Sequence, residues 1–160
     1  MLKQGLKTFP PFAELTALYR TLDERYSEWT GDRPKCRACG NCCRFQEFGH
    51  ALYVTPIEVA WLLRCARPLR GFDDSADRCP WQDDKGLCVA REGRTFGCRA
   101  FFCELEPPLD VDLEREKLLG SVRTLNERAG FDPIYAPFDQ LLASAASTGG
   151  FLEAKPKIGE

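Results

Sequence analysis

Cysteine is the residue type in this chain whose number and spacing call for a chemical explanation. Nine cysteines stand among 160 residues, beside a single histidine. Eight of them fall in two irregular segments, Cys36-x2-Cys39-x2-Cys42-Cys43 and Cys79-x8-Cys88-x9-Cys98-x4-Cys103. Thiolates at two-residue spacing can turn onto one metal centre because the backbone between them curls around it. Gly40 removes a side chain where that curl is tightest. Three cysteines at this spacing, with a remote fourth followed by proline, suit a [4Fe–4S] cluster, and Cys79-Pro80 supplies such a remote ligand. All-cysteine tetrahedral zinc sites also begin with Cys-x2-Cys, and Cys98-x4-Cys103 lies within zinc spacing. The spacings admit an iron–sulfur cluster or zinc and do not separate them.

The adjacent pair Cys42-Cys43 bears on the number of sites. In an extended segment neighbouring side chains point opposite ways, so two such thiolates are hard to aim at one ion. Eight candidate ligands with one adjacent pair fit two four-ligand sites, one polynuclear centre, or a four-cysteine cluster with structural or redox thiols beside it. Cys65 lies apart in a helical stretch and reads as a small apolar core residue. His50 is available as a ligand but is not needed where cysteines are plentiful.

The surroundings of the cysteines are cationic and aromatic. Arg33, Lys35, Arg37 and Arg44 flank the first segment, and Arg94 and Arg99 the second, with no acid from Cys36 to Arg44 or from Arg94 to Cys103. Cations so placed lower thiol pKa values and offset a thiolate-rich site's charge, or simply keep the loops soluble. Phe45, Phe48, Trp81, Phe96, Phe101 and Phe102 would wall a centre off from water, or form the core of a small domain. An extracellular disulfide scaffold is disfavoured, because the count is odd and the N-terminus MLKQGLKTFPPF has no secretory apolar run. A thioredoxin-type site would need a strand before Cys-x2-Cys and a helix directly after it. The prolines and arginines around Cys36 and Cys39 do not supply that context.

These loops need elements to hold them. Pro10 to Trp29 reads as an amphipathic helix, with Phe12, Leu15, Leu18, Tyr19, Leu22, Tyr26 and Trp29 at three- and four-residue intervals. Thr55-Pro56-Ile57-Glu58 is a capping box with proline at the first helical position, and it opens a second helix that fades near Arg67-Pro68. Asp83-Asp84-Lys85-Gly86 reads as a tight turn between short strands around Trp81 and Leu87–Val89. Glu104 to Asp112 reads as an acidic connector. Leu113 to Arg128 is a third helix, with Leu118, Leu119, Val122 and Leu125 inward and Gly130 as its stop. Gln140 to Ala146 is a short fourth helix.

The fold class expected is mainly α: a small helical domain wrapped around cysteine-rich metal-binding loops, with room for short strands. Residues 1–148 form a single domain with its core motif at 36–103, and residues 149–160 a loosely held tail. Hydrophobic residues make up 44% and charged residues 29%, which is a globular balance. A net charge of −2 gives no basic excess for nucleic acid or an anionic membrane, and no apolar run is long enough to span one. The expected location is the cytoplasm.

Cys36-Arg-Ala-Cys-Gly-Asn-Cys-Cys-Arg44, Thr55-Pro-Ile-Glu58, Cys79-Pro80, Cys88 and Arg94-Thr-Phe-Gly-Cys98-Arg99-Ala-Phe-Phe-Cys103 together resemble the CxxCxxCC (YkgJ-type) cysteine cluster family, described as zinc- or iron-chelating. The resemblance runs from Cys36 to Cys103. It implies a small helical domain around cysteine loops, with Cys36, Cys39, Cys42, Cys43, Cys79, Cys88, Cys98 and Cys103 as metal ligands. One branch resembles the flagellin lysine N-methylases, in which the motif is thought to hold an iron–sulfur cluster. Where the family usually carries Arg-Pro this chain has Arg94-Thr95, and it shows no Gly-rich strand-to-helix turn for a nucleotide-like methyl donor. The expectation is a metal-binding protein with an iron–sulfur cluster, most simply [4Fe–4S], in a structural or electron-transfer role with a protein or electron-transfer partner. The alternatives are a zinc-held interaction module and a redox or group-transfer enzyme.

Overall fold

The computed structural model of the chain describes residues 9–31, 39–72, 77–101 and 108–148. The expected tail at 149–160, together with Arg33, Lys35, Cys36, Arg37, Phe102 and Cys103, lies outside the described residues. The described part is mainly α. In chain order it contains α1 (Pro10–Thr30), β1 (Tyr53–Val54), α2 (Pro56–Cys65), α3 (Phe96–Arg99), α4 (Leu109–Arg128), β2 (Ala136–Pro137) and α5 (Phe138–Thr148). Short 3-10 turns occupy Asn41–Cys43 and Arg91–Gly93.

Helix α1 forms where the apolar spacing predicts it. It buries Phe12, Leu15, Tyr19 and Leu22 against α4, which contributes Leu119, Val122 and Leu125. Burial of each such aliphatic or aromatic side chain contributes roughly 1.5–3 kcal/mol. Helix α4 begins at Leu109, four residues before its expected start, so the supposed connector ends sooner. Pro108 occupies its N-cap, and Asp110 and Asp112 sit in its first turn, where carboxylates offset the positive helix end. At its far end Gly130 adopts φ 88, a left-handed stop that suits glycine.

Helix α2 is apolar on a wide arc because it lies between two cores. Ile57 joins the α1–α4 core, while Val59 and Leu62 join a second core with Phe45, Leu52, Trp81, Phe138 and Leu142. Its capping box is complete: the Glu58 carboxylate accepts the Thr55 N–H and hydroxyl, both at 2.9 Å. Asn126 of α4 fastens the same helix end. It accepts the Ile57 N–H at 3.0 Å and donates to the Asp132 carbonyl at 2.8 Å.

Strands β1 and β2 pair antiparallel, Tyr53 with Pro137 and Val54 with Ala136. This ties the start of α2 to the start of α5. None of the described helices is long and apolar enough to cross a membrane.

Candidate metal centre

Two cysteine loops meet beside α2 and α5. In the first, Gly40 takes the left-handed conformation, φ 75, and turns the chain into the 3-10 turn Asn41–Cys43. The turn is closed by the Cys43 N–H to the Gly40 carbonyl at 3.1 Å and the Arg44 N–H to the Asn41 carbonyl at 3.1 Å. This corrects the extended conformation expected for Cys42-Cys43. In a 3-10 turn neighbouring side chains diverge by about 120°, less than in an extended strand, and both cysteines line the same cavity.

The second loop is a hairpin. The Val89 N–H bonds the Trp81 carbonyl at 2.9 Å, the Asp83 N–H bonds the Leu87 carbonyl at 2.8 Å, and Gln82 bridges Cys88. The Asp83 carboxylate accepts the Lys85 and Leu87 N–H groups at 2.9 and 2.8 Å, which holds the expected turn. Alternation along the hairpin leaves Leu87 and Val89 exposed and puts Cys88 on the inner face. Cys98 comes from α3, whose preceding Thr95 donates its hydroxyl to the Cys98 sulfur at 3.3 Å.

The two loops are stitched together by backbone. The Cys79 N–H donates to the Cys43 carbonyl at 2.8 Å. The buried Gln82 amide donates to the carbonyls of Gly40 at 2.8 Å and Gly86 at 3.0 Å, and accepts from Arg78 at 2.9 Å. A Cβ on Gly40 would stand 2.0 Å from the Gly86 carbonyl oxygen, so the loops meet where only glycine fits.

The result is a cavity of about 60 Å³ whose lining residues include Cys42, Cys43, Cys79, Cys88 and Cys98. Phe45, Leu52, Leu62, Trp81 and Phe138 wall it, and Arg91 and Arg94 stand among its lining residues. No carboxylate or imidazole lines it among the described residues. Soft thiol donors without oxygen ligands suit a thiophilic metal. Among the described residues no three His, Cys, Asp or Glu side chains are grouped closely enough to hold a metal ion.

The neighbouring thiols Cys42 and Cys43, and Cys43 and Cys79, influence one another's protonation. Cys42 is held above the ordinary thiol range by its bond to Cys43, then by burial and the neighbouring sulfur. For Cys43 the bond received from Cys42 favours the thiolate. The bond given to Cys79, burial and the neighbouring thiols together outweigh it, and its pKa also rises. Burial pushes Cys98 up to about 11, with the neighbouring thiols of Cys42 and Cys88 adding to it. Of the expected lowering by cations, Arg94 acts on Cys42 and Arg99 on Cys65, in both cases as the smallest effect named.

The remaining sequence candidates separate clearly. Cys39 is exposed and does not line the cavity. Cys65 ends α2, half-buried against Gly93, where burial raises its thiol pKa. It lies outside the cavity and belongs to neither apolar core. His50 makes tilted ring contacts with Phe45 at 6.0 Å and Phe101 at 4.6 Å, does not line the cavity, and has its pKa lowered by burial. Of the aromatic candidates, Phe45 and Trp81 wall the cavity, Phe96 belongs to the α1–α4 core, and Phe48 is exposed. Arg44 pairs with Glu47 at 3.5 Å. Arg99 is a brace: it pairs with Asp23 of α1 at 2.6 Å, lies over the Tyr19 ring at 4.5 Å, and donates to the carbonyls of Arg94 and Glu92.

Two positioning residues carried no site signal in the sequence. Gln82 is one. Glu58, legible only as a capping residue, is the other: its fully buried carboxylate also accepts the Phe96 N–H at 2.7 Å and the Tyr19 hydroxyl at 3.1 Å. It thereby joins α1, α2 and the start of the helix that carries Cys98. Burial raises its pKa, and the four hydrogen bonds work in the opposite direction. No family model, curated protein or solved structure matches the chain.

Proposed function

We propose that this chain is a metal-binding protein whose cysteine loops hold an iron–sulfur cluster in a structural or electron-transfer role. The observation that carries the reading is that cysteines from two separate sequence segments line one cavity together with apolar walls. The donor set fits, because thiolates are the ligands of iron–sulfur clusters and of tetrahedral zinc alike. Residues Cys42, Cys43, Cys79, Cys88 and Cys98 would hold the metal, and the surrounding aromatic and aliphatic side chains would exclude water from it. The same motifs support placing the chain in the CxxCxxCC cysteine cluster family. A thiol-rich centre needs a reducing compartment, which supports a cytoplasmic location.

The test is the visible absorption spectrum of anaerobically purified protein, with iron, sulfide and zinc quantified against protein. Brown protein containing iron and sulfide is the expected result. Colourless protein carrying stoichiometric zinc would replace the cluster with a zinc-held interaction module, and protein purified without either metal would overturn the proposal.

A further inference from the structure

We propose that the end of α2, the turn at 91–94 and the outer face of the 81–89 hairpin form one docking face for an acidic protein partner. This names a partner class for the metal-binding reading above and rests on it for the partner's purpose; the face itself consists of surface side chains and needs no metal. The three segments are joined. The Trp81 indole N–H donates to the Ala66 carbonyl at 2.9 Å, which ties the hairpin to the end of α2. A Cβ on Gly93 would stand 2.9 Å from the Cys65 Cβ and 3.2 Å from Leu62, so the turn lies directly on the same helix end. Arg64 and Arg67 stand on either side of Cys65 and Ala66, and Arg91 and Arg94 on either side of Gly93.

These four arginines have no carboxylate partner among the described residues. Nearby acids are otherwise engaged: the Asp83 carboxylate holds the Lys85 and Leu87 N–H groups, and Asp84 pairs with Arg70 at 3.6 Å. That leaves Glu92 against four guanidinium groups. Neutralising thiolates accounts for Arg91 and Arg94, which line the cavity, but Arg64 and Arg67 do not line it. The hairpin adds apolar surface, because Leu87 and Val89 are 46% and 43% exposed on either side of the cavity-lining Cys88. Aliphatic side chains beside unpaired arginines match a partner whose carboxylates surround an apolar patch, and the charge steers such a partner to the cavity's side of the chain. Nucleic acid matches less well. Leu87 and Val89 offer no ring on which a base could stack, and the chain's net charge is −2.

The test is fluorescence anisotropy of a short labelled peptide rich in glutamate and leucine, titrated with the full chain purified anaerobically, at low and at raised salt. The expected result is binding that weakens as salt rises, falls about tenfold in Arg67→Glu and in Arg91→Glu, and weakens in Leu87→Ser. Lys117→Glu makes the same charge change on α4 and leaves binding as in wild type, and a lysine-rich peptide does not bind. No binding of the glutamate peptide, or an equal loss in Lys117→Glu, would overturn the inference. Tighter binding of a single-stranded oligonucleotide of equal charge would also overturn it, in favour of a nucleic-acid surface. Metal is quantified in the same samples, which separates the two readings. Metal without peptide binding would overturn this inference alone, whereas peptide binding without metal would overturn the metal-binding reading and leave the docking face.

Discussion

The Cys79 N–H donates to the Cys43 carbonyl at 2.8 Å, so cysteines from opposite sides of α2 are joined backbone to backbone. This bond, with the Gln82 amide clasped between Gly40 and Gly86, fixes the relative positions of the two loops before any ligand is considered. The cavity is consequently built by main-chain geometry and packed side chains, and its thiols are delivered to it by both loops.

Gly40 is the position where that junction is least tolerant. Its left-handed backbone alone would cost an alanine about 1–2 kcal/mol, and the Cβ would also collide with the Gly86 carbonyl and the Gln82 amide. Gly40→Ala should therefore lower the melting temperature and lose metal. Gly49→Ala is the control, because Gly49 also has positive φ but nothing lies within 4 Å of its Cβ position. It should cost only the backbone strain and keep its metal, as read by thermal unfolding and metal analysis of both variants.

Glu58 should behave as a buried anchor. In Glu58→Gln the amide nitrogen must face a donor that now meets an oxygen, at a cost of roughly 1–3 kcal/mol. The melting temperature should fall by several degrees, at roughly 2–4 °C per kcal/mol for a chain of this size. An unchanged melting temperature would mean that the four bonds contribute nothing net.

The same carboxylate gives a pH dependence with a definite sign. Burial raises its pKa in the folded chain, so the folded state holds this proton more tightly than the unfolded state does. Its contribution is fully present below the ordinary carboxylate value of about 4.3 and is lost as pH rises through the raised folded value. The stability advantage of wild type over Glu58→Gln should shrink as pH rises across that window, measured by denaturant unfolding at several pH values. A constant difference would contradict the assignment.

Cys65 should be dispensable for metal. It packs against Gly93 at the end of α2 and does not line the cavity. Cys65→Ser should retain the wild-type metal content with a small loss of stability, because its site is only half-buried. Loss of metal in this variant would show that the ninth cysteine had been misplaced.

The long elements of this fold are legible in the sequence because each carries its own local signal. The apolar stripe of α1, the Thr55–Glu58 capping box and the Asp83–Gly86 turn all form where those signals stand. Helix α3 and the β1–β2 pair are too short to show periodicity, and they exist through long-range bonds such as Glu58 to the Phe96 N–H. The early start of α4 was obscured by prolines and acids that read as connector but suit a helix N-terminus.

The candidate ligands are legible as a set, but not their grouping. The side chains of Cys42 and Cys43 depend on a backbone turn set by the left-handed Gly40. Their meeting with the Cys88 hairpin involves Gln82, whose type announces nothing until its partners are known, and the helix bearing Cys98 is held by Glu58.

Metal held by this thiol cavity would show itself in X-ray absorption at the metal edge of anaerobically purified protein. The expected spectrum has a first shell made of sulfur alone, at about 2.3 Å if the metal is zinc, and a second metal atom beyond it for an iron–sulfur cluster. A first shell containing nitrogen or oxygen from protein side chains, or protein purified without bound metal, would contradict it.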